Sequence, residues 1–287
     1  MKQPTQKNSA GLTLTELVIV IAVVGLLVAM LLPALNKQKA VSGRIPCVNN
    51  QKRIGVAFRV FAEDNNAQYP LQITNLSYVV AGRIDPADFT GRILSTNQPY
   101  IVEGVAIGGQ VNSASAAAWQ VAQALWNELE TPKMLLCPQD RERATPAKLR
   151  VTDFNGLAGE TNAMSTPSLG HVSNQNRAIS YAFGVAADES RPLGVLTVDR
   201  NLNNVGMAGA TIAWNVALSN TRAVMNDKPG PTQVVFVTRT PIHGTNGNLA
   251  YADSSVQQAT ATVLQTAFHN AATSYGTITN QNEILFP

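Results

Sequence analysis

The sequence predicts an α+β protein in which a long N-terminal helix leads into a domain built on an antiparallel β-sheet with additional helices. Three observations support this. An uncharged apolar run lies near the start of the chain, a helical stripe of apolar residues follows it, and short β-branched and aromatic segments between turn residues fill the second half. The 287 residues leave room for one sizeable domain or two small ones beyond the first helices.

The charge balance argues against nucleic-acid binding. Only 14% of the residues are charged and the net charge is +3. Outside the segment just after the apolar run, the chain has no basic stripe of the kind that nucleic-acid-binding proteins carry. We therefore predict no nucleic-acid partner.

The apolar run has the length of a membrane anchor. From Leu17 to Leu32 no residue is charged, and residues 12–32 would form a helix of ~32 Å, which matches a bilayer core of about 30 Å. A basic leader and the small pair Ala10-Gly11 precede this run. In a secretory signal peptide the small residues follow the apolar region. Cleavage after Gly11 would therefore keep the helix on the mature chain, with residues 1–11 as a leader.

The residues around this point carry a resemblance to a known family. They are, in order, Gly11-Leu12-Thr13-Leu14-Thr15-Glu16-Leu17. This segment resembles the prepilin peptidase motif of type IV pilins and type II secretion pseudopilins. The resemblance implies cleavage after Gly11 and N-methylation of Leu12, which stands where the family often has Phe. It also implies a pilin-like fold, with Glu16 at the fifth and Pro33 at the twenty-second mature position.

Glu16 is the chemical exception in this helix, because a carboxylate at membrane depth costs ~2.5–3.5 kcal/mol. The resemblance implies that it pairs with the amine of Leu12 in a neighbouring subunit and sets the register of assembly. The alternative is that Glu16 lies near the lipid headgroups. Pro33 lacks an N–H and is predicted to kink the helix.

The orientation of the chain in the membrane is inferred from the leader peptide. Basic residues lie on both sides of the apolar run, so their count does not orient it. A prepilin-type leader is cut in the cytoplasm. We therefore expect a single-pass inner-membrane protein with a cytoplasmic N-terminus and a periplasmic C-terminal domain, which can also be part of an extracellular fibre.

Residues 33–65 are predicted to form the periplasmic half of the spine helix, with a weak point at Gly43 and Pro46. The residues that share one helical face, and that we predict to dock on the globular domain, are Cys47, Ile54, Phe58 and Phe61. Turn-prone residues end this helix at 64–66. The globular domain then comprises residues 66–287.

Further elements follow in order along this domain. Helices are predicted over 113–130, with Ser115 as N-cap, and over 260–273. Between them we predict a strand-like run over 133–137, a long surface loop over 141–175, and sheet segments over 178–183, 193–198, 233–238 and 248–257. The segment 233–238 suits a central strand, and 283–286 is predicted to add a last one.

The resemblance extends weakly into this half of the chain. Cys47-Val48-Asn49-Asn50, Leu136-Cys137-Pro138 and the stretch from His243 to Asp253 are similar to pieces of pilin-like proteins common in planctomycete and verrucomicrobial bacteria. Those proteins often carry an Asp-Gly turn. Here Ser254 stands in the place of that glycine.

The two cysteines, Cys47 and Cys137, allow either one disulfide or two buried thiols. A bridge would close a loop of about 90 residues and contribute several kcal/mol in the chain-entropy model. Export of the domain favours the disulfide.

Metal ligands are weakly indicated. Asp199, Asn201 and Asn203 place side-chain oxygens at alternate positions, as an EF-hand loop does at its start. Asn204 replaces the required Gly, and Ala210 stands where the bidentate Glu would be. The segment therefore predicts an Asx-rich turn, with a calcium site as the weaker alternative.

Catalytic motifs do not appear in the sequence, and we predict neither an enzyme nor a cofactor. His243 with Asp199 or Asp253 would have to orient a nucleophile such as Ser180, and the spacing gives no support for this. His243 is instead predicted to be a loop residue that hydrogen-bonds the backbone.

The predicted function is that of a structural subunit of a type II secretion pseudopilus or a type IV pilus-like fibre. Its partners would be identical or related pilin-like subunits, the prepilin peptidase, the assembly platform and ATPase of such a system, and the membrane. The alternative is a pilin-leader-anchored periplasmic or surface module that binds a ligand.

Overall fold

The structure is a computed structural model that describes most, but not all, of the chain. The described residues are 13–72, 100–102, 105–107, 116–145, 151–154, 168–171, 173–204, 222–225, 234–236, 242–273 and 283–286. They belong to two compact units, the first reaching to Gly43 and the second beginning at Arg44.

Helix α1 (Leu14–Ser42) makes up the described part of the first unit. Its apolar side chains are exposed all around the helix; Leu17, Ile21 and Leu27, for example, expose 56%, 61% and 54% of their surface. The helix continues through Pro33, so the proline does not end it. Within the described residues, no helix is at once long enough and apolar enough to cross a membrane.

Helix α2 (Ile45–Asp64) opens the second unit. Pro46 lies in its first turn, where the missing N–H costs no hydrogen bond. The predicted docking stripe of Cys47, Ile54, Phe58 and Phe61 is completely or almost completely buried, which confirms that this face packs on the domain. The helix ends at Asp64 as predicted, and Asn66 beyond it adopts a left-handed backbone with a φ of 55°.

A six-stranded sheet forms the centre of the second unit, and each strand pairs antiparallel with its neighbours. Its strands in spatial order are β6 (Arg222–Val224), β10 (Glu283–Leu285), β3 (Tyr181–Gly184), β4 (Val195–Asp199), β8 (Gly247–Tyr251) and β9 (Val256–Ala259). Strands β1 (Tyr100–Val102) and β2 (Val105–Ile107) form a hairpin, and β5 (Leu202–Asn204) pairs antiparallel with β7 (Val234–Phe236) in a separate two-stranded sheet.

Both faces of the sheet are buried. On one face, Tyr181 and Phe183 of β3 join the core that α2 builds with α3 (Ala118–Ala124) and α4 (Trp126–Leu129). On the other face, Ala182 joins a second core with the β5–β7 strand pair and α5 (Ala261–Thr273). Strands buried on both faces need no polar residues on either side, which is why their sequences alternate so weakly.

The predicted helix over 113–130 begins later than expected and is interrupted. Leu125 separates α3 from α4, and the Ala117 N–H at the start of α3 donates to the Gln120 side chain (2.9 Å). This contact gives α3 a cap without a serine. Ser115, the predicted N-cap, lies outside the described residues.

The predicted strand over 133–137 is wrong. A 3-10 helix, Pro132–Leu135, occupies this segment. Pro132 is well suited to a first helical turn, and the Thr131 hydroxyl accepts a hydrogen bond from the Lys133 N–H (3.4 Å). Local turn chemistry therefore outweighed the apolar character of the run.

Two sheet predictions also need correction. The segment 233–238 is not a central strand, because β7 pairs with β5 outside the six-stranded sheet. The segment 248–257 is not one strand but most of the β8–β9 hairpin, whose turn includes Ser254 with a φ of 67°. The predicted surface loop over 141–175 also contributes to the core, since Val151, Phe154 and Leu169 are buried.

The remaining sheet and helix predictions are confirmed with shifted bounds, since β3 begins only at Tyr181, after a 3-10 helix over Gln175–Ala178. Helix α5 begins one residue after Thr260, whose hydroxyl accepts from the Val263 N–H (3.3 Å). Strand β10 closes the gap between β6 and β3 near the end of the chain. The last strand is therefore internal to the sheet and not an edge.

Candidate functional site

The first candidate site is the N-terminus of α1, where Thr13 and Glu16 form a reciprocal capping box. The Glu16 carboxylate oxygen Oε2 accepts hydrogen bonds from the Thr13 N–H and the Thr13 hydroxyl, both at 2.8 Å. The Glu16 N–H is 3.4 Å from the Thr13 hydroxyl oxygen, which accepts its hydrogen bond. Such a box satisfies backbone donors that a helix start leaves unpaired.

Sequence reasoning missed this local role of Glu16, although Thr-x-x-Glu before an apolar run is the signature of a capping box. Both bonds end on Oε2, and Oε1 accepts none from the described residues. Gly11 and Leu12, the predicted cleavage and methylation positions, lie outside the described residues. Pro33 lies within α1, where the structure describes the backbone alone.

The second candidate site is a buried polar group beneath α2, which we call the disulfide cluster. Its members are Cys47, Gln51, Cys137, Asp199, His243 and Asn248. Cys47 lies in the first turns of α2, and Cys137 follows the 3-10 helix Pro132–Leu135. Their sulfurs form a disulfide, with 5.0 Å between the Cα atoms. Of the two states that the cysteine count allowed, the structure has the bridge.

His243 packs directly on this disulfide. Its ring nitrogen Nε2 is 3.4 Å from the Cys137 sulfur and 3.7 Å from Oδ2 of Asp199. An isolated β-bridge with Asn246 holds the His243 backbone, and the Arg44 guanidinium donates to its carbonyl oxygen (2.8 Å). The histidine is therefore a loop residue, as the sequence predicted, but it is buried and its ring belongs to the cluster.

Asp199 ends β4 and is held by amide groups. Oδ2 accepts from the Asn248 N–H on the neighbouring strand (2.8 Å), and Oδ1 accepts from the Gln51 side chain on α2 (3.1 Å). Burial raises the pKa of Asp199 to about 8. Burial, together with the positive charge of Arg44, lowers the pKa of His243 to about 4. At neutral pH the Asp199–His243 contact is therefore one between uncharged side chains and not an ion pair.

This geometry argues against the calcium alternative at 199–203. Asp199 faces N–H donors in the core, whereas a calcium site needs converging oxygens. Asn203 belongs to β5 and pairs with Val235, so the segment is strand and not a cation-binding loop. Asn201, which lies between β4 and β5 in the sequence, is completely buried.

Gln51 is a member of the cluster that sequence reasoning missed. It falls on the buried face of α2, between Cys47 and Ile54, and it is completely buried. A glutamine within an apolar helical stripe was the available signal, because a buried amide requires polar partners.

An ion group with Arg200 and Asp140 buried and Glu142 exposed was also missed. Nε and Nη2 of Arg200 each contact one carboxylate oxygen of Asp140 at 2.8 Å, and Nη2 contacts Glu142 at 2.7 Å. Two parallel bonds of this kind fix the arginine in orientation as well as position. The group joins the end of β4 to the turn that follows Cys137.

Ser180 does not complete a catalytic arrangement with these residues. Its hydroxyl is buried and makes no hydrogen bond with the described part of the chain. His243 faces a sulfur and a carboxyl group at the nitrogen that a nucleophile would need. Ser180, His243 and Asp199 are all buried, but without a bond between nucleophile and base, and Asp253, the alternative to Asp199, is exposed.

Comparisons with known proteins address the first site. No curated protein matches the chain. No solved structure matches it either. Residues 6–32 match the family described as the prokaryotic N-terminal methylation motif. The matched residues include the predicted cleavage position and the first part of α1, up to Leu32. The chain therefore carries a type IV pilin-like prepilin signal at its N-terminus.

Proposed function

We propose that this protein is a membrane-anchored structural subunit of a type II secretion pseudopilus or a type IV pilus-like fibre. The observation that carries the proposal is the methylation motif at residues 6–32, which leads into the apolar helix α1. Cleavage after Gly11 and methylation of Leu12 belong to the proposal. So do the inner membrane, the prepilin peptidase, and the platform and ATPase of an assembly system.

The surface of α1 supports assembly. Side chains from Leu14 to Met30 are exposed, and large apolar ones occur on every side of the helix. A helix that is apolar all round is stable when lipid or other helices surround it. We propose that lipid covers α1 in the stored subunit and that neighbouring helices cover it in the fibre.

The capping box refines the role proposed for Glu16. Cleavage after Gly11 leaves the amide between Leu12 and Thr13 intact, so the mature chain keeps the cap. Oε2 serves the cap, and Oε1 is the oxygen that the Leu12 amine of a neighbouring subunit would approach. Glu16 would thus hold its own helix start and one neighbour at the same time.

Two substitutions separate these roles. Glu16→Gln removes the charge but keeps an acceptor that can complete a capping box. Thr13→Val removes the hydroxyl and keeps the charge of Glu16. If charge pairing drives assembly, Glu16→Gln abolishes fibres seen by electron microscopy while membrane fractionation stays normal, and Thr13→Val still assembles. Thr15→Val is the matched control, because no described hydrogen bond involves its side chain.

Fibres of normal abundance from Glu16→Gln would contradict the charge-pairing mechanism. Absence of fibres from the unmodified protein in its own cells, together with retention of a ligand by the domain, would instead support the anchored binding module. Intact mass measurement tests processing separately. We expect a mature chain that begins at Leu12 and carries one methyl group, and an unprocessed chain from Gly11→Val.

A further inference from the structure

The disulfide cluster has the ligands of a metal site once its bridge is open. Cys47, Cys137 and His243 each offer one donor atom, and these atoms lie within 4.8 Å of one another. Asp199 adds an oxygen 3.7 Å from the same histidine nitrogen. Cysteine sulfur, imidazole nitrogen and carboxylate oxygen are the ligand atoms that zinc takes in proteins, and four of them complete its usual tetrahedral coordination.

We propose that the reduced protein binds one zinc ion through Cys47, Cys137 and His243, with Asp199 as the fourth ligand. This site goes beyond the proposed role in fibre assembly, because it lies in the second compact unit and uses no residue of α1. It gives the chain a second way, besides the disulfide, to hold α2 in place, and through Asp199 it also ties α2 to the sheet.

The distances agree with tetrahedral coordination. Bond lengths of about 2.3 Å for Zn–S and about 2.0 Å for Zn–N place the two donor atoms about 3.5 Å apart. The Cys137 sulfur and Nε2 of His243 are 3.4 Å apart. Reduction removes the bond between the sulfurs, and two thiolates on one zinc ion are separated by about 3.8 Å. Only a small movement of the two cysteine side chains is therefore required.

The surroundings are suited to a buried cation. Two thiolates and the Asp199 carboxylate supply three negative charges, and a zinc ion with the nearby Arg44 guanidinium supplies three positive ones. The side-chain oxygens of Gln51 and Asn248 are also buried in this cluster, and neither has a hydrogen-bond donor in the described part of the chain. The cluster thus has an excess of acceptors, which a bound cation would balance.

The two states interconvert by balanced chemistry. A dithiol reductant transfers two electrons and two protons to the bridge, which gives two cysteine thiols and an oxidised dithiol. Zinc then replaces the two thiol protons and the proton of the Asp199 carboxyl group, and these three protons are released to solvent. Because the oxidised form holds no thiolate, disulfide formation and zinc binding exclude each other.

The test uses the full-length protein in detergent and zinc ion as the probe. Reduction is carried out with a phosphine, which competes weakly for zinc, and bound zinc is measured after removal of excess metal. We expect one zinc ion per reduced chain and none per oxidised chain. His243→Ala should weaken zinc binding at least about a hundredfold, since even the loss of an outer-shell partner costs roughly 10- to 100-fold. His269→Ala on the exposed face of α5 is the matched control and should bind as the unmodified chain does.

X-ray absorption at the zinc edge of the unmodified reduced protein makes the test independent of how well the variants fold. We expect two sulfur neighbours and one imidazole nitrogen around the metal, with Asp199→Asn altering the remaining position. Absence of bound zinc in the reduced chain, a coordination shell without imidazole, or equal affinity in His243→Ala would each overturn the proposal.

Discussion

At the scale of single residues, Ser254 has an unfavourable backbone conformation. Its φ of 67° lies in the left-handed region, which costs roughly 1–2 kcal/mol for a residue with a Cβ. Glycine avoids this cost, although its greater freedom in the unfolded chain takes back about 0.4–1 kcal/mol.

We therefore expect Ser254→Gly to stabilise the protein by about 0.5 kcal/mol, or ~1–2 °C in melting temperature. The measurement is thermal unfolding followed by circular dichroism. Ser254→Ala is the control, because it keeps the Cβ and removes the buried hydroxyl, which has no hydrogen-bond partner among the described residues. A gain from Ser254→Ala as large as that from Ser254→Gly would show that the hydroxyl, and not the backbone, is the cause.

Asp199 predicts how stability depends on pH in the oxidised protein. Its pKa is about 8 when folded, against an ordinary value of 3.8, so the folded state holds an extra proton between these values and stability falls as pH rises. His243, with a pKa of about 4 when folded against an ordinary value of 6.5, has the opposite effect below pH 6.5. Below pH 6.5 the two residues therefore change the free energy of unfolding in opposite directions. Above pH 6.5 only Asp199 changes it.

We expect the free energy of unfolding to fall by up to about 2 kcal/mol between pH 6.5 and pH 8. Urea unfolding at several pH values in this window measures the slope. Asp199→Asn carries no titrating group at this position and should lose the slope. An equal slope in both proteins would mean that another group is responsible.

At the scale of elements, the disulfide fastens α2 to the segment that follows the 3-10 helix Pro132–Leu135. It spans 90 residues, and closing a loop of that length is worth about 4–5 kcal/mol in the chain-entropy model. Helix α2 is also attached by its apolar face, by the amide of Gln51 and by side-chain contacts such as that of Asn50, which donates to the Leu136 carbonyl oxygen (3.0 Å).

The paired variant Cys47→Ala with Cys137→Ala should therefore lose about 4 kcal/mol of stability. Its urea midpoint, compared with that of the oxidised protein, measures the loss. Reduction of the unmodified chain in the presence of a zinc chelator should give a similar midpoint, whereas reduction with zinc present should restore part of the difference if the metal site forms. A midpoint unchanged by the paired substitution would mean that the apolar face alone holds α2.

Much of the element order could be predicted because it depends on local patterns. The stripe from Cys47 to Phe61 identified the buried face of α2, and the apolar segment after Thr260 identified α5. The wrong predictions, at 133–137 and 233–238, fall where a local turn or packing against the face of the sheet determined the structure. Pro132 turned a strand-like run into a 3-10 helix, and β7 has the apolar sequence of a central strand because it covers a sheet face.

At the scale of the whole molecule, the chain divides between Gly43 and Arg44. The core residues of both sheet faces, from Cys47 to Phe286, belong to the second unit. We expect a chain that begins at Arg44 to fold with the same melting temperature, within ~2 °C, as the full-length protein in detergent. A broad, non-cooperative transition would show that the second unit depends on residues of the first.

The sequence by itself determined the features that depend on neighbouring residues. The processing motif, the uncharged run from Leu17 to Leu32 and the docking face of α2 can all be recognised in the sequence because their residues are close along the chain. Only the tertiary structure decided the disulfide cluster, since Cys47, Cys137, Asp199 and His243 are brought together by α2, a turn and the ends of two strands. Contacts between such distant positions depend on strand order and register, which no local pattern encodes.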